Sequence, residues 1–162
     1  MVKTYVVDTN VLIQAPYALE CFEDNRVILP VVVLEELDKL KNADGEKGYN
    51  ARTAIRFLEE HRLKGNLLEG VPLENGGILK VETNFVNVNL PEDMPEDRMD
   101  NRILKVCLGL METGESPVIL VTKDMLLRVK AQIAGVRAED FTTEQVSGDG
   151  GQYEGRIQVY AP

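Results

Sequence analysis

The chain has 162 residues, 44% of them hydrophobic and 28% charged, which is enough for one compact domain with a real core and too apolar for overall disorder. No apolar run approaches the length of a membrane span, and Met1-Val2-Lys3-Thr4-Tyr5 enters a strand pattern directly, unlike a signal or transit peptide. The net charge of −9 argues against holding nucleic acid through a broadly basic surface.

That charge is unevenly spread. Lys39, Lys41, Lys47, Arg52, Arg56, Arg62 and Lys64 share one segment, and Lys123, Arg128 and Lys130 form a second group. An acidic protein still holds phosphates if divalent cations bridge its carboxylates to them. Cys21 and Cys107 both lie among apolar residues. Each reads as a small buried hydrophobe, which points to a reducing cytoplasm.

Strand and helix signals alternate along the chain, the pattern of a mainly parallel sheet covered on both faces, a three-layer α/β/α sandwich. The first strand is expected at Thr4–Asp8. Asn10–Phe22 reads as a short helix interrupted by Pro16, and its apolar residues suit either a self-association surface or plain core. Val27–Leu29 is a brief buried strand, and Pro30 opens a helix carrying Leu34, Leu37 and Leu40 along one side. Residues 42–48, with Asp44-Gly45 and Gly48, read as an exposed loop before a helix over Asn50–Leu63 that stops by Gly65. Asn75-Gly76-Gly77, between Leu67–Leu73 and Ile78–Val81, marks a hairpin or a short strand with a flexible tip. An acidic loop with Pro91 and Pro95 leads to a helix over Asp100–Glu112. Val118–Val121 is the most strand-like run, apolar and β-branched as in a central parallel strand. A helix over Met125–Ala134 ends at Gly135, and Val136–Ala138 adds an edge strand. Residues 1–143 are therefore expected to form the domain. Residues 144–162 are expected to be a linker, Ser147–Gly151, and the start of a further strand, Tyr153–Tyr160. That ending suggests a piece of a longer protein, or a tail that pairs back on the domain.

Four acids punctuate this plan. Asp8 closes the first strand, Glu36 lies one turn into the helix after Pro30, Asp100 starts its helix, and Asp124 follows Val118–Val121. Ligands of open parallel sheets bind beyond the carboxyl ends of the strands, and these four are expected at that edge. Each acid also has an ordinary role: Asp8 and Asp124 suit helix caps, Asp100 suits a first turn, and Glu36 suits a solvated helix face. Together, however, four like charges cost free energy unless a cation compensates. Hard oxygen donors with few basic neighbours suit Mg²⁺ or Mn²⁺. Two such ions about 4 Å apart activate a water and stabilise the leaving oxygen in phosphodiester hydrolysis. Asn10 and Thr122 carry neutral oxygens able to orient a metal-bound water, and Thr122 equally suits a helix cap. Lys123, Arg128 and Arg52 are candidate phosphate contacts, or simply solvated charges. His61, the single histidine, reads as packing or surface rather than a general base.

At these residues the sequence resembles a PIN domain, the RNase H-like nuclease module. Val7-Asp8-Thr9-Asn10, Glu36-Leu37 after Leu29-Pro30, Asp100-x-x-Ile103 and Thr122-x-Asp124 match its pattern in order, over about residues 3–141. Within that family, Leu34–Lys41, Asp100–Leu104 and Val121–Ala131 look most like the N-terminal PIN domain of bacterial PhoH-like proteins, in which a P-loop ATPase follows. The resemblance implies a metal-dependent ribonuclease that cuts single-stranded RNA internally, with Asp8, Glu36, Asp100 and Asp124 as its carboxylates. It places the acid directly before the leucine and so favours Glu36 over its neighbour Glu35, which projects about 100° away on a helix. Asp97 is a further acid able to approach from its loop. No Gly-x-x-x-x-Gly-Lys-Ser/Thr segment occurs in these residues, so ATP binding of that kind is not expected within them. The rival reading is a non-catalytic RNA- or protein-binding module that regulates a fused ATPase. Covalent aspartyl-phosphate chemistry fits poorly, because Asn10 stands where a phosphatase of that kind needs its second acid.

Overall fold

The protein's structure, a computed structural model, describes residues 2–83, 88–91, 94–95, 98–114 and 116–141. Asp97, the linker 147–151 and the strand expected at 153–160 lie outside the described residues. The strands are β1 (Thr4–Val7), β2 (Arg26–Pro30), β3 (Val71–Pro72), β4 (Ile78–Glu82), β5 (Val118–Val121) and β6 (Arg137–Glu139). The helices are α1 (Thr9–Gln14), α2 (Val31–Leu40), α3 (Gly45–Arg62), α4 (Met99–Thr113) and α5 (Met125–Ala134), with one 3₁₀ turn at Ala18–Glu20.

The six strands form one sheet in the order β3-β4-β2-β1-β5-β6, parallel throughout except for β3, which pairs antiparallel with β4 as the expected hairpin. With its helices this is the α/β sandwich read from the sequence. Every residue of β1 and β5 is buried, because helices cover a parallel sheet and leave its central strands no solvated face. The chain builds outward from β1 to β2 and β4 on one side, then to β5 and β6 on the other. Strand order therefore reverses between β1 and β5, and a crevice opens at their carboxyl ends.

Several boundaries differ from expectation by a residue or more, and three of them are instructive. Pro30 ends β2 and caps α2 rather than starting it, since its missing N–H is harmless there. The segment Asn10–Phe22 splits into α1 and the 3₁₀ turn around Pro16, and Val11, Leu12, Ala15, Ala18, Leu19, Cys21 and Phe22 are all core. The loop expected at 42–48 is shorter, because α3 begins at Gly45 and runs through a buried Gly48. A Cβ on Gly48 would stand 1.8 Å from the Ala43 carbonyl oxygen, so this glycine serves a close approach rather than a turn.

Asn50 then ties α3 to α1, its Nδ2 donating to the Ile13 carbonyl at 2.6 Å. Tyr5, Phe22 and Phe141 stack beside the sheet with ring centroids 4.8 and 5.9 Å apart, which anchors the residues after β6. His61 is buried, with Nδ1 2.8 Å from the Phe57 carbonyl and its ring 4.2 Å from the Phe57 ring, a packing role as expected. Both cysteines are buried and neither is in a disulfide among the described residues. Among the described residues, no helix is long and apolar enough to cross a membrane.

Candidate active site

At the β1–β5 reversal lies a cleft of about 260 Å³ lined by Asp8, Thr9, Asn10, Ile13, Glu36, Leu40, Lys47, Met99, Asp100 and Asp124. All four acids singled out in the sequence reach it. Larger surface hollows occur at Leu34–Arg62–Leu67 and between α5 and β6, but neither lining contains an acid. Of these three hollows, the smaller cleft alone is lined by acids.

Each acid is placed by local structure. Asp8 follows β1 and caps α1, one oxygen accepting from Thr9 N at 2.7 Å. Its other oxygen accepts from Thr122 Oγ1 at 2.7 Å. Asp124 caps α5 by accepting from Leu126 N at 2.9 Å, so the capping role and the cleft position coincide in one residue. Asp100 sits in the first turn of α4, and Glu36 in the middle of α2. Glu36 is half-buried and lines the cleft, whereas Glu35 is exposed and does not.

Thr122 is the hub. Fully buried just past β5, its hydroxyl donates to Asp8, accepts from Asp124 N at 3.1 Å, and lies 3.4 Å from Asn10 Nδ2. Asn10 Oδ1 in turn accepts from Lys123 N at 2.9 Å, which locks the β1 and β5 ends together. Thr122→Val, which keeps the shape and removes the hydroxyl, leaves Asp8 without that donor. It is expected to lower stability by roughly 1–3 kcal/mol and any cleavage rate by about 10- to 100-fold, with Thr122→Ser near wild type. Thermal melts and single-turnover cleavage check this, and a fully active Val variant would refute the hub role.

The electrostatics agree. Burial pushes the Asp8 carboxyl above the usual range; the bonds from Thr122 and Thr9 pull it down, while the charges of Asp124 and Asp100 push it up again. Burial also raises Asp100, but the Lys130 hydrogen bond and charge, with Arg98, outweigh burial and hold it below the usual range. Among the described residues, no three acidic, histidine or cysteine side chains are already gathered tightly enough to hold an ion. Like charges with no cation between them stay apart. The donor set nevertheless fits a hard divalent cation: four carboxylates, plus the Thr9 hydroxyl, which is buried without a hydrogen-bond partner among the described residues.

The cations proposed as phosphate contacts lie elsewhere. Lys123 Nζ donates to the Phe141 carbonyl at 2.6 Å and pairs with Asp140 at 3.2 Å. Arg128 donates to the Thr122 carbonyl at 2.9 Å and lies 3.7 Å from Asp140. These two residues clamp the end of β6 to the β5–α5 turn. Arg52, exposed on α3, donates to the Lys41 carbonyl at 2.6 Å. None of the three lines the cleft. The cation that does is Lys47, which has no ion-pair partner among the described residues. The sequence held no signal for this choice, because Lys47 was read as part of a loop and its helical placement depends on Gly48.

The chain is 46% identical to Protein PhoH2 of Bacillus subtilis (strain 168) over 99% of its own length and 38% of that protein's. It is 40% identical to Protein PhoH2 of Mycolicibacterium smegmatis over 90% of its length and 33% of that protein's, so it spans only 33–38% of these relatives' length. A domain of a functionally unknown protein from Methanocaldococcus jannaschii shares the fold, with a TM-score of 0.51 at 24% identity, covering 87% of this chain and 92% of that one. The pattern defining the PIN domain matches residues 5–142, from the start of β1 to just past the Phe141 anchor, and the chain belongs to the PIN domain family.

Proposed function

We propose that this domain is a divalent-metal-dependent endoribonuclease that hydrolyses single-stranded RNA. Membership of the PIN family supports a nuclease-type role. The observation carrying the finer reading is the convergence of Asp8, Glu36, Asp100 and Asp124 on one cleft at the strand-order reversal. In this reading Asp8, the most buried of the four, would hold Mg²⁺ or Mn²⁺ together with Glu36, Asp100 and Asp124. When bound, the ions activate a water and stabilise the leaving oxygen. The chain's own residues do the positioning: Thr122 and Thr9 orient the Asp8 carboxylate, and Asn10 braces the turn carrying Asp124.

Lys47 replaces Lys123, Arg128 and Arg52 as the favoured phosphate contact. Lys47→Ala is expected to raise KM for RNA about tenfold with kcat little changed, and to lower the salt dependence of binding by about one phosphate's worth. A drop in kcat at constant KM would instead place Lys47 in the chemical step.

By analogy with the longer PhoH2 relatives, we assign the domain to the nuclease half of a cytoplasmic protein whose partner is a PhoH-type ATPase domain; self-association belongs to the same proposal. The deciding experiment is cleavage of a labelled single-stranded RNA by wild type with Mn²⁺ or Mg²⁺, beside an EDTA control. The competing reading, a non-catalytic binding module, draws on the hold of Lys130 on Asp100. It expects RNA binding without turnover at any metal concentration.

A further inference from the structure

Of the four acids, Asp100 alone is bonded directly to a part-buried cation among the described residues. Lys130, on α5, places Nζ 2.9 Å from Asp100 Oδ2 and 3.2 Å from Asn101 Oδ1. The Lys130 and Asp100 side chains are 18% and 19% exposed. Asn101 is fully buried, and its amide donates to the Pro95 carbonyl at 2.8 Å, so its oxygen is fixed toward the ammonium. Lys130 is thus seated by two acceptors on α4, one charged and one neutral. Arg98 also approaches Asp100, at 3.6 Å, but its side chain is 60% exposed and readily swings away. The other acids differ. Asp8 accepts from a hydroxyl and an amide, and Asp124 from an amide. Their charges have no bonded counter-ion among the described residues.

We propose that Lys130 is a built-in counter-ion that holds Asp100 in the metal-free protein and competes with the divalent cation for its carboxylate. The charge on Lys130 would then set the metal concentration at which the site fills. This inference rests on the proposed metal site. The sign follows from electrostatics alone. If the ammonium stays when an ion binds, its positive charge opposes the ion at close range. If it leaves, its bonds to Asp100 and Asn101 must first be broken. Either way, the wild-type protein binds the ion less tightly than a neutral variant. Lys130 also joins α5 to α4, so the metal-free fold should depend on it more than the metal-loaded fold does.

The test uses the intact chain and reads Mn²⁺ binding by electron paramagnetic resonance titration, apart from activity. Lys130→Met and Lys130→Gln are expected to lower the Mn²⁺ dissociation constant about tenfold, while Lys130→Arg, which keeps the charge, stays near wild type. In EDTA the Met variant should melt below wild type, and saturating Mn²⁺ should close the gap. Gln is included because it can still bond Asp100 if Met fails to fold. Unchanged or weaker Mn²⁺ binding by the neutral variants, with Asp8→Asn abolishing binding, would overturn the Lys130 assignment and leave the metal site standing. No Mn²⁺ binding by wild type, or equal binding by Asp8→Asn, would overturn the metal site itself and Lys130's role with it.

Discussion

Replacing Asp8 with asparagine is expected to abolish RNA cleavage while making the metal-free protein more stable. The catalytic loss follows from position: Asp8 is 5% exposed and lies at the join of β1 and β5 among the other three acids. A fall of roughly 10³-fold or more is the scale of losing a principal charge-stabilising group. The stability gain follows from burial. Asp8 is raised above its ordinary value chiefly by desolvation, so its ionised form is disfavoured in the fold relative to the unfolded chain. With a folded pKa above the unfolded one, there is no penalty while both states are protonated, below about pH 4. The penalty grows as the unfolded state ionises and levels off above the raised folded value, so stability is lost as pH rises through that window. Asparagine avoids it, and each kcal/mol regained should raise Tm by roughly 2–4 °C at this chain length. Melts in EDTA at pH 4 and pH 8 should show the variant's advantage only at the higher pH, and added Mn²⁺ should favour wild type alone. An Asp8→Asn protein that still cuts RNA after rigorous purification would end the nuclease proposal for this cleft.

Gly48→Ala is expected to be the most damaging single-methyl substitution in the fold. In an ordinary helix this change adds about 1 kcal/mol of stability. Here the new Cβ would lie 1.8 Å from the Ala43 carbonyl oxygen and 2.7 Å from its carbonyl carbon, both backbone atoms that a rotamer change cannot move. Overpacking of this kind costs about 1–3 kcal/mol, and the backbone clash puts Gly48 at or above the top of that range. Relief requires α3 to move away from the end of α2. That motion separates Lys47 from Glu36, the two residues this corner brings to the cleft. Gly45→Ala provides the contrast: nothing lies within 4 Å of its Cβ, and its cost should be only the left-handed backbone at φ +75°, about 1–2 kcal/mol. Urea unfolding of both variants checks the order. A Gly48→Ala protein as stable as wild type would mean that the α2–α3 corner is looser than its close contacts imply.

The acids were legible because strand ends and helix starts are local properties. Val118–Val121 followed by Thr122 and Asp124 announces a strand, its end and a cap within seven residues, and Tyr5–Asp8 does nearly the same. Order along the chain then put them on one edge, since right-handed crossovers in a parallel sheet leave little other choice. The choice between Glu35 and Glu36 rested on family resemblance, and helix geometry supplied its physical counterpart: one residue of rotation separates a cleft-lining side chain from an exposed one. The cations were not legible. Lys123, Arg128 and Lys130 fall within eight residues, yet two bind Asp140 and the third binds Asp100. A long flexible side chain reports nothing locally about which distant carboxylate or carbonyl it will reach.

By itself, the sequence determined the α/β class, the parallel core strands and the strand-end acids Asp8 and Asp124, because burial of β-branched runs and capping by aspartate act over a few residues. Only the tertiary structure decided how those charges are partnered: Thr122 as the donor to Asp8, Lys130 as the counter-charge of Asp100, and Lys47 as a cleft cation with no ion pair among the described residues. Charge pairing is settled by distances of a few ångströms between residues far apart in the chain, 114 positions for Asp8 and Thr122 and 30 for Asp100 and Lys130. Such distances exist only once the sheet and its helices have packed.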